Sequence, residues 1–499
     1  MKFVSSNIIK KIDNYCINEL GISELVLMEN AALKVIKNID LKDNSYFTVI
    51  CGTGNNGGDG FAVARHLISL KKNVQVFFVG NVEKMTDSCR ANYSILKNME
   101  VNIIFIQDLK DIEHLEVYLV YSDVIIDALL GTGINRNVEG IYDTVISTIN
   151  ENSQFTVSID VPSGLNSDTG DVMGNCIDSN KTITFELYKS GFLNYNSEKY
   201  TGEIIVEKIG IPEFVISEFH DGGFVTDKDI FKKKVAVRDK YSHKGNYGRV
   251  LIFAGSEQYT GAAYISTEGA VRSGAGLVTL CCDEDILQTL RSKFNEAMTI
   301  SSKNIEGVNK LLANSNCVAV GPGMGDNENT YKVLNFVLKN SKCPVVIDAD
   351  GINVLSKDLS ILENSKVPVL ITPHPGEMSR LTGLPVDYIE KNRIKVAKEF
   401  AKKYNVIVLL KGYNTVITKG NSVIVNSTGN SAMASGGMGD CLTGIITSFI
   451  AQGQDVIDAA VTGAFLHGYC GEMLSKEMFN VSASDVLDAI PYAIKKLQN

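Results

Sequence analysis

Short apolar, β-branched runs alternate with helically patterned stretches along the whole chain. In the first half Tyr46–Cys51, Val74–Val79, Val101–Ile106, Val124–Asp127 and Thr156–Asp160 read as strands, followed by Lys181–Phe185 and Ile204–Val206. Between them Phe61–Leu70 and Asp87–Asn98 carry helical spacing, and the opening MKFVSSNIIKKIDNYCINELG reads as an amphipathic helix. Strands alternating with helices predict βαβ units and a mostly parallel sheet. The loops that end these strands hold the glycines, which is where ligands sit in such sheets.

Past Ile209–Pro212 the pattern stops, and residues 213–235 are mixed and polar, ending in the basic run Lys232–Lys234. A domain boundary is expected there, giving domains 1–215 and 225–499. A second series of strands follows: Gly248–Phe253, Gly276–Leu280, Cys317–Gly321, Val345–Asp348, Val369–Thr372, Val406–Leu410 and Val416–Thr418. Asp440–Ile450, Val456–Lys476 and Ala483–Lys496 then read as helices. The chain is therefore α/β in both halves, and no period of about 20–50 residues marks a solenoid.

At 499 residues the chain has room for two or three domains. With 48 Lys+Arg against 57 Asp+Glu its net charge is −9, which gives no footprint for nucleic acid or an anionic membrane. Apolar residues at 44% and charged residues at 21% are globular composition and exclude disorder. The 43 Gly against 9 Pro fit tight strand-to-helix turns better than flexible linkers. Ten scattered cysteines without a C-x-x-C pair predict reduced thiols in a cytoplasmic protein. No apolar run has the length of a signal core or a membrane span.

The segment YFTVI-CGTGNNGGDG-FAVARHL places Gly52, Gly54 and Gly57 as G-x-G-x-x-G between a strand and a helix. Glycines there bring backbone N–H groups to a phosphate at a helix N-terminus. The acidic residue that would hold a ribose after the next strand is missing from Val76–Gly80, so hydride chemistry is not expected. Asn55, Asn56 and Asp59 add oxygen ligands, although such residues also serve plain turns. Two further polar loops follow strands: Asp127 with Gly131, Thr132, Gly133, Asn135 and Arg136, and Asp160 with Pro162, Ser163 and Gly164. Oxygens of Asn56, Asp127 and Ser163 could hold an alkali or alkaline-earth cation, and Asp160 could act as general acid or base. A helix cap is the bland role for either Asp.

NNGGDG, DALLGTG and DVPSGL, with TFELYKSGFLNYNSEKYTGEIIVEKIGIP downstream, resemble the epimerase domain of the bifunctional NAD(P)H-hydrate repair enzymes. The resemblance implies a Rossmann-like three-layer α/β/α domain that equilibrates R and S epimers of hydrated NADH and NADPH beside a K+ ion. It assigns Asn56, Asp127 and Ser163 as K+ ligands. It assigns the substrate to Asn55, Asn56, Gly57, Gly58 and Asp59, to Gly131, Thr132, Gly133, Ile134, Asn135, Arg136 and Asn137, and to Asp160.

The second half carries four glycine loops: HKGNYGRVLIFAGSEQYTGAAYIS, VGPGMG, ITPHPGEM and NSTGNSAMASGGMGDCLTG. In the last, backbone N–H groups of Gly436, Gly437, Met438 and Gly439 could form an anion hole at a helix start, and Asp440 could take a proton from a hydroxyl. The competing reading makes Asp440 a helix N-cap. Lys411–Gly412 with Thr415 could hold nucleotide phosphates, or Lys411 could be an ordinary exposed lysine. His374 lies between two prolines and is held rigidly. Asp348, Asp350 and Asn353 could bind Mg2+ through water, or cap a strand end. There is no P-loop motif.

The order YTGAA, GPGMG, DADGIN, TPHPGEM, LKG, GNSAMASGGMGD and LHG resembles the ribokinase-like dehydratase domain of the same family, over about Lys244–Pro491. The resemblance implies dehydration of the S-hydrate driven by ADP or ATP with Mg2+. It assigns Ala262, Gly323, Gly325, His374 and Asp440 to the hydrated nucleotide. It assigns Lys411, Gly412, Tyr413, Asn414 and Thr415, with the Gly436–Gly439 turn, to ADP or ATP. Met438 stands where relatives often have Ser. Small-molecule substrates, no nucleic acid, no membrane and a homo-oligomer are expected. Two other readings stay open: a small-alcohol kinase, since the G-x-G-D element serves those too, and a non-catalytic nucleotide-binding scaffold.

Overall fold

The computed structural model describes residues 1–194 and 197–498; Tyr195 and Asn196, inside the segment TFELYKSGFLNYNSEKYTGEIIVEKIGIP, lie outside the described residues. The chain divides into two units, Met1–Asp221 and Gly222–Asn499.

In the first unit β1 (Lys2–Val4) precedes the amphipathic helix Ser6–Asn18. The main strands are β2 (Tyr46–Cys51), β3 (Asn73–Val79), β4 (Ile103–Ile106), β5 (Val124–Ala128), β6 (Thr156–Ile159) and β7 (Lys181–Phe185). The short β8 (Tyr188–Lys189) and then β9 (Glu203–Glu207) complete the set. β1 pairs with β8. The others form one parallel sheet in the order β4-β3-β2-β5-β6-β7-β9. β2, β5 and β6 are apolar runs because both faces are covered. On one face pack the helices Glu24–Lys37 and Asn55–Ser69, through residues such as Ala32, Val35 and Phe61. On the other lie Leu109–Tyr121 and Ile141–Asn152, through Leu115, Leu119 and Ile146. The chain winds outward from β2 to β4 and then returns to β5 on the other side of β2, so a crevice opens at the carboxyl ends of β2 and β5.

The second unit contains β10 (Gly223–Val225), β11 (Arg249–Phe253), β12 (Leu277–Cys282), β13 (Met298–Ser301), β14 (Cys317–Val320) and β15 (Val345–Ile347). It continues with β16 (Val369–Ile371), β17 (Ile407–Leu410), β18 (Thr415–Thr418) and β19 (Val423–Asn426). Its sheet runs β13-β12-β11-β14-β15-β16-β17-β18-β19-β10, parallel from β13 to β17 and antiparallel through β18 and β19. The order again reverses beside the first long strand, between β11 and β14. The buried helices Met438–Ala451 and Val456–Leu474 cover one face together with Thr260–Arg272 and Ala483–Gln498.

Residues 213–235 are not the featureless stretch that their polar pattern predicts. They form the helix Glu213–Phe219, β10 and the helix Lys228–Lys234. Each is anchored by only one or two buried residues: Val215 and Ile216, Val225, and Phe231. That is too few for a period to be visible. All ten cysteines are free and buried, and burial raises their thiols above the usual range, as for Cys51 and Cys317. Among the described residues no helix is long and apolar enough to cross a membrane.

Candidate active sites

A cavity of about 1140 Å³ occupies the crevice of the first unit. Its floor depends on backbone packed against backbone. A Cβ on Gly52 would sit 1.9 Å from the Leu129 carbonyl oxygen, and one on Gly57 would sit 2.0 Å from that of Gly52. This closeness lets the helix Asn55–Ser69 start directly under the loop that follows β5. Asn55, Asn56, Asp59, the whole loop 131–137 and Asp160 line the cavity. Gly57 and Gly58 do not; Gly58 instead abuts Met28 and Cys89, so both glycines act through shape.

Asp127, fully buried at the end of β5, accepts hydrogen bonds from Ser158 Oγ (2.8 Å), Ser163 N (2.9 Å) and Ser163 Oγ (2.5 Å). Burial raises its pKa, and the Ser163 and Ser158 hydrogen bonds oppose that rise. Asn56 Nδ2 donates to the Leu130 carbonyl at 2.7 Å, the same carbonyl that lies 3.2 Å from Ser163 Oγ. Asn56 Oδ1 is buried with no hydrogen-bond partner among the described residues. A buried amide oxygen left unpaired costs about 1–3 kcal/mol unless something else satisfies it. An unpaired amide oxygen, a hydroxyl, a carbonyl and a carboxylate, all hard oxygens with no sulfur or imidazole, are a donor set suited to an alkali cation.

Asp160 follows β6 in the left-handed region at φ +64°. Its carboxylate accepts from Thr184 Oγ1 (2.9 Å) and Phe185 N (3.3 Å) and pairs with Lys189 Nζ at 2.8 Å. Lys189 is 1% exposed and also donates to the Phe185 carbonyl at 3.3 Å. Sequence reasoning missed this lysine. Its signal was a single cation inside the apolar stretch LYKSGFL, which requires a buried anion. It also missed Asp13 and Glu24, which line the cavity from the two N-terminal helices. Glu24 accepts from Asn55 Nδ2 and from Ser88 Oγ, each at 2.5 Å. Burial pushes Asp59 well above the carboxylate range, helped by Asp160 and Glu24. Burial pushes Asp13 up to about 6, with Lys189 pulling the other way.

In the second unit a cavity of about 460 Å³ gathers Asp348, His374, Glu377, Lys411, Gly437 and Asp440, with Gly412 and Gly439. Asp348 ends β15 and Lys411 follows β17. Lys411 Nζ donates to Asp348 Oδ1 at 2.6 Å and lies 3.8 Å from Glu377 Oε2, while Thr443 Oγ1 holds Asp348 Oδ2 at 2.8 Å. Burial works against the charge of Lys411, but Asp348 and Glu377 outweigh it and keep the ammonium above its usual pKa. Lys411 is thus not an ordinary exposed lysine. Buried Arg393 fixes its backbone by donating to the carbonyls of Leu410 (2.9 Å) and Lys411 (3.0 Å).

The helix Met438–Ala451 is entered through Gly437 at φ +86°. Gly437 is the N-cap, so Asp440 is the third helical residue and not the cap. The Cβ position of Gly439 is 3.3 Å from Lys411 Nζ, so the ammonium stands beside the amide-bearing turn. Burial, and then the charge of Asp348, push Asp440 up to about 7 against the pull of Lys411. Burial likewise takes Glu377 to about 7. His374 caps the helix Pro375–Thr382, its Nδ1 accepting from Gly376 N (3.0 Å) and Glu377 N (3.4 Å). Burial and Lys411 lower its pKa.

Asp348, Asp350 and Asn353 each have partners within the fold. Asp348 serves Lys411 and Thr443; Asp350 accepts from Gly325 N (2.8 Å) and Asn353 Nδ2 (3.1 Å); Asn353 Oδ1 accepts from Arg380 Nε (3.0 Å). Among the described residues no group of three or more His, Cys, Asp or Glu side chains could hold a metal. Ala262 and Gly323 adjoin each other, 2.8 Å separating the Ala262 Cβ from the Cβ position of Gly323, and Asp350 pins Gly325. They, with Tyr413, Asn414, Thr415, Gly436 and Met438, lie outside the lining of this cavity. His467, the histidine of LHG on the helix Val456–Leu474, has its Nε2 buried without a hydrogen-bond partner among the described residues, and burial lowers its pKa to about 4.

Comparisons with known proteins match both units. Residues 24–191 fit a family model described as YjeF-related protein N-terminus, and residues 250–492 fit one described as NAD(P)H-hydrate dehydratase. The ADP/ATP-dependent NAD(P)H-hydrate dehydratase from Bacillus subtilis, co-crystallized with ATP/Mg2+, superposes with a TM-score of 0.51 at 32% identity. That match covers 56% of this chain and 99% of the other. A ribokinase-like superfamily protein from Enterococcus faecalis gives 0.51 at 30% identity over 56% of this chain and 98% of its own. The bifunctional NAD(P)H-hydrate repair enzyme Nnr from Dictyoglomus turgidum is 33% identical over 100% of this chain and 99% of that protein. The enzyme of the same name from Moorella thermoacetica is 34% identical over 100% of this chain and 97% of that protein. With both units matched in order and end to end, the chain belongs to the bifunctional NAD(P)H-hydrate repair enzymes.

Proposed function

We propose that the first unit interconverts the R and S epimers of hydrated NADH and NADPH, and that the second returns the S epimer to NAD(P)H at the expense of ADP or ATP. Full-length similarity to the repair enzymes supports the pairing of activities. The observation that carries the dehydratase is Asp440, with a pKa near 7, one residue beyond a glycine that abuts the Lys411 ammonium. Free N–H groups of that turn and Lys411 receive the charge of a phosphoryl group in transfer. Asp440 takes the hydroxyl proton of the hydrate as the oxygen attacks phosphorus. Phosphate then leaves with the C–O bonding pair while the ring nitrogen lone pair forms C=N+. Loss of a proton from the neighbouring ring carbon restores the dihydropyridine. Mg2+ accompanies the nucleotide in this reading.

In the first unit Asp160 serves as acid–base at the hydroxyl-bearing carbon, held in place by Lys189. Asn55, Asn56, Asp59 and the loop 131–137 bind the dinucleotide. Asn56, Asp127 and Ser163 would hold K+, which would supply a fixed positive charge at the cavity floor. Ten reduced, buried cysteines support a cytoplasmic location.

The test is consumption of purified R- and S-hydrate, with and without ATP or ADP, read by the returning dihydronicotinamide absorbance. The dihydronicotinamide absorbance should return only with nucleotide, and from R-hydrate only through prior epimerisation. A stable phosphorylated product without restored absorbance would identify a small-alcohol kinase instead.

A further inference from the structure

The cavity of the first unit holds one carboxyl group that no part of the reading above uses. Asp13 lies on the helix Ser6–Asn18, outside the 24–191 span of the family match, and lines the same cavity as Asp160. Asp160 is fixed by three partners: Lys189 Nζ, Thr184 Oγ1 and Phe185 N. Asp13 has no hydrogen bond or ion pair among the described residues, and its oxygens are not sealed in the protein interior. The two carboxyls therefore sit in one cavity in opposite states: one anchored to a buried lysine, the other unbonded and facing the space a substrate fills. Two carboxyls whose surroundings separate them in this way divide the acid and base roles between them.

We propose that Asp13 is the second catalytic residue of epimerisation, donating the proton that releases the hydroxyl on one face of the ring while Asp160 receives a proton on the other. This rests on the epimerase reading of the first unit. The Asp13 carboxyl protonates the hydroxyl oxygen. The C–O bond breaks as the ring nitrogen lone pair forms C=N+, and one water is released. A water adds to the opposite face of that carbon and gives its proton to the Asp160 carboxylate, leaving the epimer. The enzyme now holds Asp13 ionised and Asp160 protonated, the state that runs the reverse direction. Proton exchange through the cavity water resets it.

The groups facing Asp13 agree with that division. Burial raises its pKa to about 6; Lys189 opposes the rise, and Asp160, Glu24 and Glu186 add to it. Asp59 is coupled to it too, and Lys10 lines the same cavity. The proton is therefore held up to about pH 6 and is lost as pH climbs through that value. Asp13 as acid predicts that R-to-S epimerisation slows as pH rises above about 6.

The test uses the full chain without nucleotide, following R-to-S conversion by chromatography from pH 5 to pH 8, on the order of the window set by the Asp13 shift. Asp13→Asn should lower the epimerisation rate by about 10²-fold or more and flatten the limb near pH 6. Asp13→Glu should recover part of the rate together with a limb. Dehydration of S-hydrate with ATP by the same molecules serves as the control and should be unchanged. An Asp13→Asn protein with the wild-type rate, or with a reduced rate but an unmoved limb, overturns the proposal. If Asp13→Asn does not fold, absence of a limb near pH 6 in both wild type and Asp13→Glu overturns it equally. Wild-type protein that epimerises no faster than buffer instead refutes the epimerase reading itself.

Discussion

Lys411→Met removes the ammonium that faces Asp348, Glu377 and Asp440 at once. At the 3.8 Å that separates Lys411 Nζ from Glu377 Oε2, an effective dielectric of about 20 makes the attraction roughly 4 kcal/mol, or about three pKa units on Glu377. Asp440 feels Lys411 less than it feels burial and Asp348, and loses that downward pull in the variant. Its carboxyl, already at about 7, then titrates higher still. A base must be ionised to act, so wild-type dehydration of S-hydrate should rise with pH through about 7. In Lys411→Met the rise should move to alkaline pH, and each upward shift of about one unit would lower the rate at pH 7 by about fivefold from protonation alone at first, approaching about tenfold per further unit. Part of that loss should return in alkaline buffer. Asp348 also keeps only Thr443 as side-chain partner, so the second unit should lose about 3–5 kcal/mol of stability at neutral pH. The assay is kcat/KM for S-hydrate with ATP across the pH range, beside a thermal melt. A variant slowed equally at every pH, with its limb still near 7, would refute the assignment of Asp440 as a base tuned by Lys411.

Asp160→Asn should slow epimerisation by about 10²–10⁴-fold, measured by chromatography of R-hydrate, while the same molecule still dehydrates S-hydrate with ATP. Ser163→Ala strips a hydrogen bond from buried Asp127 and should cost the first unit about 1.5–3 kcal/mol. It should also abolish any extra melting stability given by KCl over tetramethylammonium chloride, and K+ protection that survives the change would exclude Ser163 as a ligand. Gly57→Ala places a methyl 2.0 Å from the Gly52 carbonyl oxygen and should cost about 1–3 kcal/mol or more in a urea melt of the first unit.

Much of the architecture was visible in one dimension because both sheets are buried on both faces. Tyr46–Cys51 and Lys181–Phe185 coincide with β2 and β7, since short β-branched and aromatic runs bounded by polar turns are buried along nearly their whole length in a sheet covered on both faces. The edges were less visible. β13 is a half-exposed edge strand, Met298–Ser301, whose pattern carries no clear alternation, and β1, β8 and β10 are two or three residues long. The polar loops after β2, β5, β6 and β17 announced themselves because glycines with Asp, Asn or Lys mark the carboxyl edge of a parallel sheet. The groups that set their electrostatics did not. Lys189 pairs with Asp160, Glu24 with Asn55, and Glu377 with Lys411 only after strands and helices far apart in the chain are brought together. The partners of DADGIN were hidden for the same reason: Lys411 and Thr443, far along the chain, reach Asp348 only in the folded unit.

The burial of every cysteine makes the folded chain blind to thiol reagents. A thiol must ionise to react, and burial holds these protonated, so iodoacetamide can modify these cysteines only when a region opens. Four of the sulfurs lie in the first unit and six in the second. Alkylation followed by peptide mass mapping therefore times the opening of each half separately, without any engineered label.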